Sequence, residues 1–358
     1  MGDGLGERLD NVLIIQRSFK LRRRERIARS RRSLKTLARL LKQPKANLSE
    51  AGFYSSRDPE LLADEDIERA EVLCRAVMVR RGPGSQLTLE GLFAALAAAG
   101  APRSLPFWEE ALAWNQKRDS MKRARCEFAV AGIALAALRA EDSAAKEALL
   151  ALATAGPTPE TQALAARTLW SVPLSLDQDI PLDVRQALAR VAVADTGLLP
   201  RYQARLGLLA LDMPLPTDAP EGSLSFTVRL GKGFHCVVEL PSTATMADLH
   251  AGIQQGFGWD NDHLYSFFLD TTIWNRTFEV PGRDPFGDRI DPEGRSDAGD
   301  WKLGEVGFVT GVRFVYLFDY GDSHRFEITV SAINETAGPG PWPRLSRVGK
   351  PPPQYEDW

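Results

Sequence analysis

The hydrophobic repeat of this 358-residue chain changes its period part-way along. Before Met213, apolar residues recur at helical spacing; after Gly222 they alternate, as on strands with one buried face. The stretch between, MPLPTDAPEG, holds three prolines and keeps neither period, which marks a domain boundary. Such a chain must build helices first and a sheet afterwards. At this length and 44% hydrophobic content it exceeds a single core. The expected class is α+β multidomain: an N-terminal all-α region, HEAT-like or a plain bundle, then a β-grasp-like α+β module. The expected divisions are a basic arm and helix over 1–57, an all-α domain over 58–212, a linker over 213–222, an α+β domain over 223–335 and a Pro-rich tail over 336–358.

Proline and glycine punctuate the helical part. One helix is predicted from Phe19 to Lys42, closed by Pro44, with Ile27, Leu34, Leu37, Ala38 and Leu41 on its docking face. Its arginine-rich first half is expected to stay undocked. Pro59 opens the next helix, which ends before Gly82-Pro83-Gly84. Others follow near Leu89–Ala99, Pro106–Asn115, Asp119–Ala140 and Ser143–Ala155. Thr158-Pro159-Glu160 reads as a cap followed by proline in the first turn, starting a helix that ends at Val172-Pro173. Pro181 starts another that Gly197 stops, and a last one covers Arg201 to Leu211. The segment DVRQALA at Asp183–Ala189 has the look of a HEAT-type second helix, although no three copies align.

Beyond the linker, Ser225–Leu230 and Phe234–Leu240 alternate across Gly231-Lys232-Gly233, a hairpin. Thr245 caps a helix from Met246 to Phe257. Strands are expected near Tyr265–Leu269, Trp274–Val280, Val312–Tyr320 and Arg325–Ile333, the last two meeting at Gly321-Asp322. Pro281–Gly299 is too polar to pack and reads as a surface loop. These elements suit one mixed sheet with a helix on one face.

Several spaced motifs in this part resemble one family. Leu240-Pro241, Leu249-His250, Ile253-Gln254, Gly258-Trp259-Asp260 and His263-Leu264 are similar to the VP…LH..IQ…GW.D.HL signature of plasmid pRiA4b ORF-3-like proteins. Phe318-Asp319-Tyr320-Gly321-Asp322 is similar to that family's YDFGD turn. The family is also filed as TnpR, a passenger protein of an insertion element. The resemblance therefore implies a bacterial, cytoplasmic protein with plasmid or mobile-element associations, and implies no particular activity. The chain departs from the pattern at Phe234-His235-Cys236, where the family carries a Trp and a basic pair. It departs again after Asp322, where Ser323-His324-Arg325-Phe326 replace D-x-W-x-H. No recombinase-like serine with a flanking arginine set is present, so strand exchange is not supported.

Charge is segregated. Residues 17–45 hold nine Arg and four Lys against Glu25 alone, a local excess of twelve positive charges in a chain whose formal net charge is −3. Arg22, Arg23, Arg24, Arg26, Arg29, Arg31 and Arg32 make a nucleic-acid footprint, because guanidinium groups neutralise phosphates and release counterions. Lys117, Arg118, Lys122, Arg123 and Arg125 could extend it. The competing reading is an arm that pairs with the chain's own carboxylates. No base-reading motif is present, so contact would be non-specific and phosphate-mediated.

All four histidines lie in the α+β part. His250, Asp260, His263, Asp319, Asp322 and His324 form a possible polar site if the Gly-Trp loop and the Asp-Tyr-Gly-Asp turn converge, for acid–base work or a divalent metal. Their spacing matches no ligand motif, so no catalytic residue is assigned and neither metal nor cofactor is expected. The bland alternative has these side chains packing and fixing turns. Trp259, Tyr265, Phe267, Trp274 and Tyr320 are read as core before groove. Cys74, Cys126 and Cys236 are isolated, apolar-flanked thiols with no C-x-x-C, which fits a reducing cytoplasm. No apolar run approaches the ~18 residues of a membrane helix, and the N-terminus has acids where a secretory signal needs an apolar stretch. The arm's Arg- and Ser-rich, acid-poor composition resembles a transit peptide but starts late. The functional expectation is a non-enzymatic accessory protein that contacts nucleic acid through its arm. A protein-interaction adaptor using the helical domain is the alternative, and an enzyme or metal-binding protein a third.

Overall fold

A computed structural model describes residues 23–53, 61–80, 82–114, 122–140, 143–175, 178–231, 233–284 and 296–355. It divides into two compact units at Ile180/Pro181, upstream of the Pro-rich stretch where the sequence pattern changes period.

The first unit is helical. α1 (Arg23–Leu40), α2 (Ile67–Met78), α3 (Ser85–Ala99), α4 (Leu105–Ala113), α5 (Lys122–Ala140), α6 (Ser143–Ala155) and α7 (Pro159–Ser175) follow one another. Glycines in the left-handed region at Gly84 and Gly100 bracket α3, where L side chains are disfavoured. Thr158 accepts a hydrogen bond from the Thr161 amide at 3.2 Å and starts α7, as expected. That helix continues through Pro173 for two residues beyond its expected end. α5 packs against α3, α4, α6 and α7. In a linear solenoid each repeat meets only its neighbours, so the arrangement is a bundle around α5. Its core is an aromatic knot of Phe93, Phe107, Trp108 and Phe128. Gly132 makes this possible, since a Cβ there would sit 2.6 Å from the Trp108 ring.

The second unit begins with α8 (Leu182–Val191) and α9 (Leu198–Ala210), which precede the Pro-rich stretch in sequence yet pack with the elements beyond it. Next come seven strands: β1 (Ser223–Arg229), β2 (His235–Pro241), β3 (Tyr265–Phe268), β4 (Glu279–Pro281), β5 (Arg313–Phe318), β6 (His324–Asn334) and β7 (Arg344–Val348). α10 (Met246–Phe257) lies against β2 and β7, and the four-residue α11 (Leu303–Val306) against α9. The strand order is β4-β3-β5-β6-β1-β2-β7. Every pairing is antiparallel, so the α+β class holds while the expected mixed sheet does not. Thr245 and Asp248 close a capping box at the start of α10. Gly252 and Gly256 let that helix approach β2: an added Cβ would lie 2.7 Å from Val238 Cγ1 and 2.4 Å from Cys236 Sγ respectively.

Three expectations for this unit are corrected. Trp274, placed on a strand, sits in a turn at φ 67°. There Asp270 accepts from the Thr272 amide and the Asn275 side chain, and the strand is only Glu279–Pro281. The flanks of the 281–299 loop pack: Asp297 and Ala298 are buried, and Ala298 bonds to Pro281 and Ala247 through its backbone. The Pro-rich tail supplies an edge strand, β7, paired to β2.

α9 is fixed by buried polar contacts inside this unit. Arg201 and Arg205 both reach Asp218, the Arg205 pair at 3.0 Å, and Arg205 also donates to the carbonyls of Ala192 and Gly304. Burial lowers the Arg205 pKa to about 10, against the opposing pull of Asp218. Tyr202 packs on Trp301 with ring centroids 5.2 Å apart.

Candidate functional site

Two places hold most of the described residues singled out by sequence: the turn between β5 and β6, and α1.

At the first, antiparallel pairing puts Phe318 opposite His324, leaving Asp319-Tyr320-Gly321-Asp322-Ser323 as the loop. Asp319 is in the left-handed region at φ 55°, and its Oδ1 accepts from the amides of Gly321 (2.9 Å) and Asp322 (3.3 Å). A short polar side chain that bonds its own turn suits this position. The Asp319 amide donates to Leu264 O at 2.9 Å, which ties the turn to the segment after α10. His263 thereby comes within reach, its Nε2 3.0 Å from Asp319 Oδ2 and its Nδ1 2.7 Å from Asp262 O. Asp319, Asp322 and His324 each offer a ligand atom, all within 4.8 Å of one another. Trp259 walls the cluster with its edge toward His324, ring centroids 4.9 Å apart.

The tail then straps the neighbouring loop. Trp259 Nε1 donates to Pro352 O at 2.9 Å, and Gln354 bonds the backbone of Asp260 and the Asp262 carboxylate. The Tyr355 hydroxyl reaches Asp262 at 3.2 Å and His263 at 3.3 Å. No spacing rule points to these tail residues; only the pairing of β7 with β2 brings them here.

His250 and Asp260 do not join the cluster. Asp260 is exposed and is held through its backbone. His250 is buried against Tyr265, with which it stacks at 3.7 Å and 2°. Gln254 donates to the Tyr316 hydroxyl, whose oxygen lies 2.7 Å from His250 Nδ1, and His250 Nε2 lies 2.7 Å from Asn261 Oδ1. A neutral ring completes this chain with Nδ1 accepting and Nε2 donating. Burial lowers the His250 pKa to about 4, only partly offset by the Asn261 bond. The same burial raises Tyr316. Trp259, Tyr265 and Phe267 are buried core, whereas Trp274 is exposed with its edge on Tyr320.

This geometry belongs to a recognisable segment. Residues 236–354 match the family model for plasmid pRiA4b ORF-3-like proteins. The matched stretch runs from β2 through the strapping tail, about a third of the chain. A solved structure of a protein of unknown function from Methanosarcina mazei Go1 is 16% identical, covers 37% of this chain and 73% of its own, and superposes with a TM-score of 0.30. No curated protein matches the chain significantly.

At the second place, Arg22 lies outside the described residues, as do the side chains of Arg23 and Arg24. Arg26 is buried, together with Ser30, Ser33, Leu34, Leu37 and Leu40. The docking face therefore extends into the arginine-rich half, which corrects the expectation that this half stays undocked. Arg31 is exposed but pairs with Glu65 and, at 2.7 Å, with Asp66; these contacts, the Asp66 hydrogen bond foremost, raise its pKa. Arg32, Lys35 and Arg39 are exposed on the side opposite the docking face, Arg29 is exposed beside that face, and Lys42 and Lys45 continue beyond the helix; Glu25 is the one acid among the described residues of α1. Lys35 and Arg39 were legible as members of this face from their 3.6 spacing, though the arginine run draws attention first. The second basic cluster contributes no such surface at Arg125: it is buried, donates to Trp114 O at 2.8 Å and stacks over the Trp114 ring at 4.7 Å. Lys117 and Arg118 lie outside the described residues, as do the side chains of Lys122 and Arg123. Among the described residues no helix is long and apolar enough to cross a membrane.

Proposed function

We propose that this is an accessory protein of the plasmid or mobile-element type whose α1 helix contacts the nucleic-acid backbone without reading sequence. The observation that carries the reading is the exposed row Arg32, Lys35 and Arg39 on a helix whose other face is buried. A docked helix holds its cations at fixed spacing, so they meet phosphates at a smaller entropic cost than those of a disordered arm. Glu25 is the one acidic residue among the described residues of α1. Arg31 is already engaged by Glu65 and Asp66, so it contributes less than its neighbours.

That asymmetry supplies the test. Anisotropy of a labelled random-sequence duplex at low salt should show Arg32→Glu/Arg39→Glu weakening binding by at least about tenfold. Arg31→Ala should weaken it less than Arg32→Ala. Absence of binding by the unaltered chain, or equal losses for Arg31→Ala and Arg32→Ala, contradicts the reading.

A further inference from the structure

We propose that Asp319, Asp322 and His324 form a binding site for a divalent cation of the Zn2+ or Mn2+ class, on the turn between β5 and β6. The site is independent of α1 and of any nucleic-acid contact. One ligand atom from each residue lies within 4.8 Å of the others. Metal–ligand bonds of ~2.0–2.2 Å bring such atoms to ~3.5 Å apart, so exposed Asp322 must swing inward by roughly an ångström.

Three further observations point to a cation at this position. First, His324 Nε2 is shut off from solvent and has no hydrogen-bond partner; a buried polar nitrogen left in that state is costly and calls for a ligand. Second, Asp319 is held on all sides before any ion arrives. Its Oδ1 takes two backbone amides, and its Oδ2 faces His263 Nε2 at 3.0 Å, while His263 is itself oriented through Nδ1 by Asp262 O. Histidine and carboxylate groups behind the ligands orient them in this way in metal centres. Third, the donors are two carboxylates and one imidazole. That set suits Zn2+ or Mn2+, while Mg2+ favours oxygen donors alone and soft ions favour sulfur. Three protein ligands leave a position for water or a substrate oxygen.

The test uses the full 358-residue chain, stripped with chelator and titrated with Zn2+ by calorimetry. One equivalent should bind. Asp322→Asn and His324→Gln should each weaken that binding by at least about tenfold, while His235→Gln, on β2, should leave it unchanged. Zn2+ should raise the melting temperature of the unaltered chain and not that of the Asp322→Asn/His324→Gln double variant. Because substitutions in a turn can disturb folding, the unaltered chain carries its own readout: Co2+ in place of Zn2+ should show visible d–d absorption distinct from the aquo ion. Lack of one-equivalent uptake, uptake unchanged in the double variant, or an aquo-ion Co2+ spectrum overturns the proposal.

Discussion

His250 shows how much a single residue's role depends on where its ring points. Its position in a Leu-His pair on an amphipathic helix admits either a site residue or a packed one. The structure gives both ring nitrogens neutral partners, Tyr316 in the core and the exposed Asn261. The consequence is a pH dependence whose sign comes from linkage. In the folded state the ring stays neutral down to about pH 4, whereas unfolded it takes a proton near its ordinary 6.5. The unfolded state therefore binds more protons in that window, and stability falls as pH drops through it, by about 3 kcal/mol in total. Below about pH 4 this residue adds no further loss. Urea unfolding across pH ~4–7 should show a steeper decline for the unaltered chain than for His250→Gln, which has no titrating ring. Equal slopes would contradict the assignment. His263, Asp319, Asp322 and His324 were equally legible as polar residues in turn-like motifs. Their convergence was not, because it depends on the register of β5 with β6 and on one long-range bond, Asp319 N to Leu264 O.

Elements with their own local punctuation were the ones the sequence pattern located well. α10 begins at its Thr245 cap and ends before Gly258, as expected. β1 and β2 fall within two residues of their alternating runs. Two elements escaped for physical reasons. β7 hides in a segment whose composition reads as an extended tail; its pairing with β2 satisfies an edge that local sequence cannot see. The strand expected around Trp274 fails because Asp270 and Asn275 build a turn there, and local side-chain bonds outcompete alternation. The fit of α10 on its sheet makes a sharp prediction. Gly256→Ala improves intrinsic helix propensity yet should destabilise the second unit by about 1–3 kcal/mol, because the new Cβ meets Cys236 Sγ at 2.4 Å. Thermal melts should register the loss. Pairing the change with Cys236→Gly, which removes the clashing sulfur, should recover part of it; a stabilised single variant would show that the helix does not sit so close.

For the molecule as a whole, period and charge made the two-part organisation legible, while the dividing point depends on contacts distant in sequence. α8 and α9 are helical in pattern, yet Arg201 and Arg205 bind Asp218, beyond the first prolines, so these helices belong with the sheet. Asp218→Asn should leave two buried guanidinium groups without their counter-charge and cost about 3 kcal/mol in urea unfolding, whereas a loss near zero would show that Arg201 and Arg205 do not depend on it. Electrostatics at this scale also carries the functional account. Of the positive excess near the N-terminus, Arg26 is buried and Arg31 is paired with Glu65 and Asp66, while Arg32, Lys35 and Arg39 are displayed. The most direct measurement is a salt titration of duplex DNA binding by the full chain. Three displayed cations, each meeting one phosphate, predict a slope of log affinity against log salt of about −3 or steeper, shallower by about two when Arg32 and Arg39 are neutralised. Binding that ignores salt, or a slope that the two substitutions leave unchanged, would contradict it.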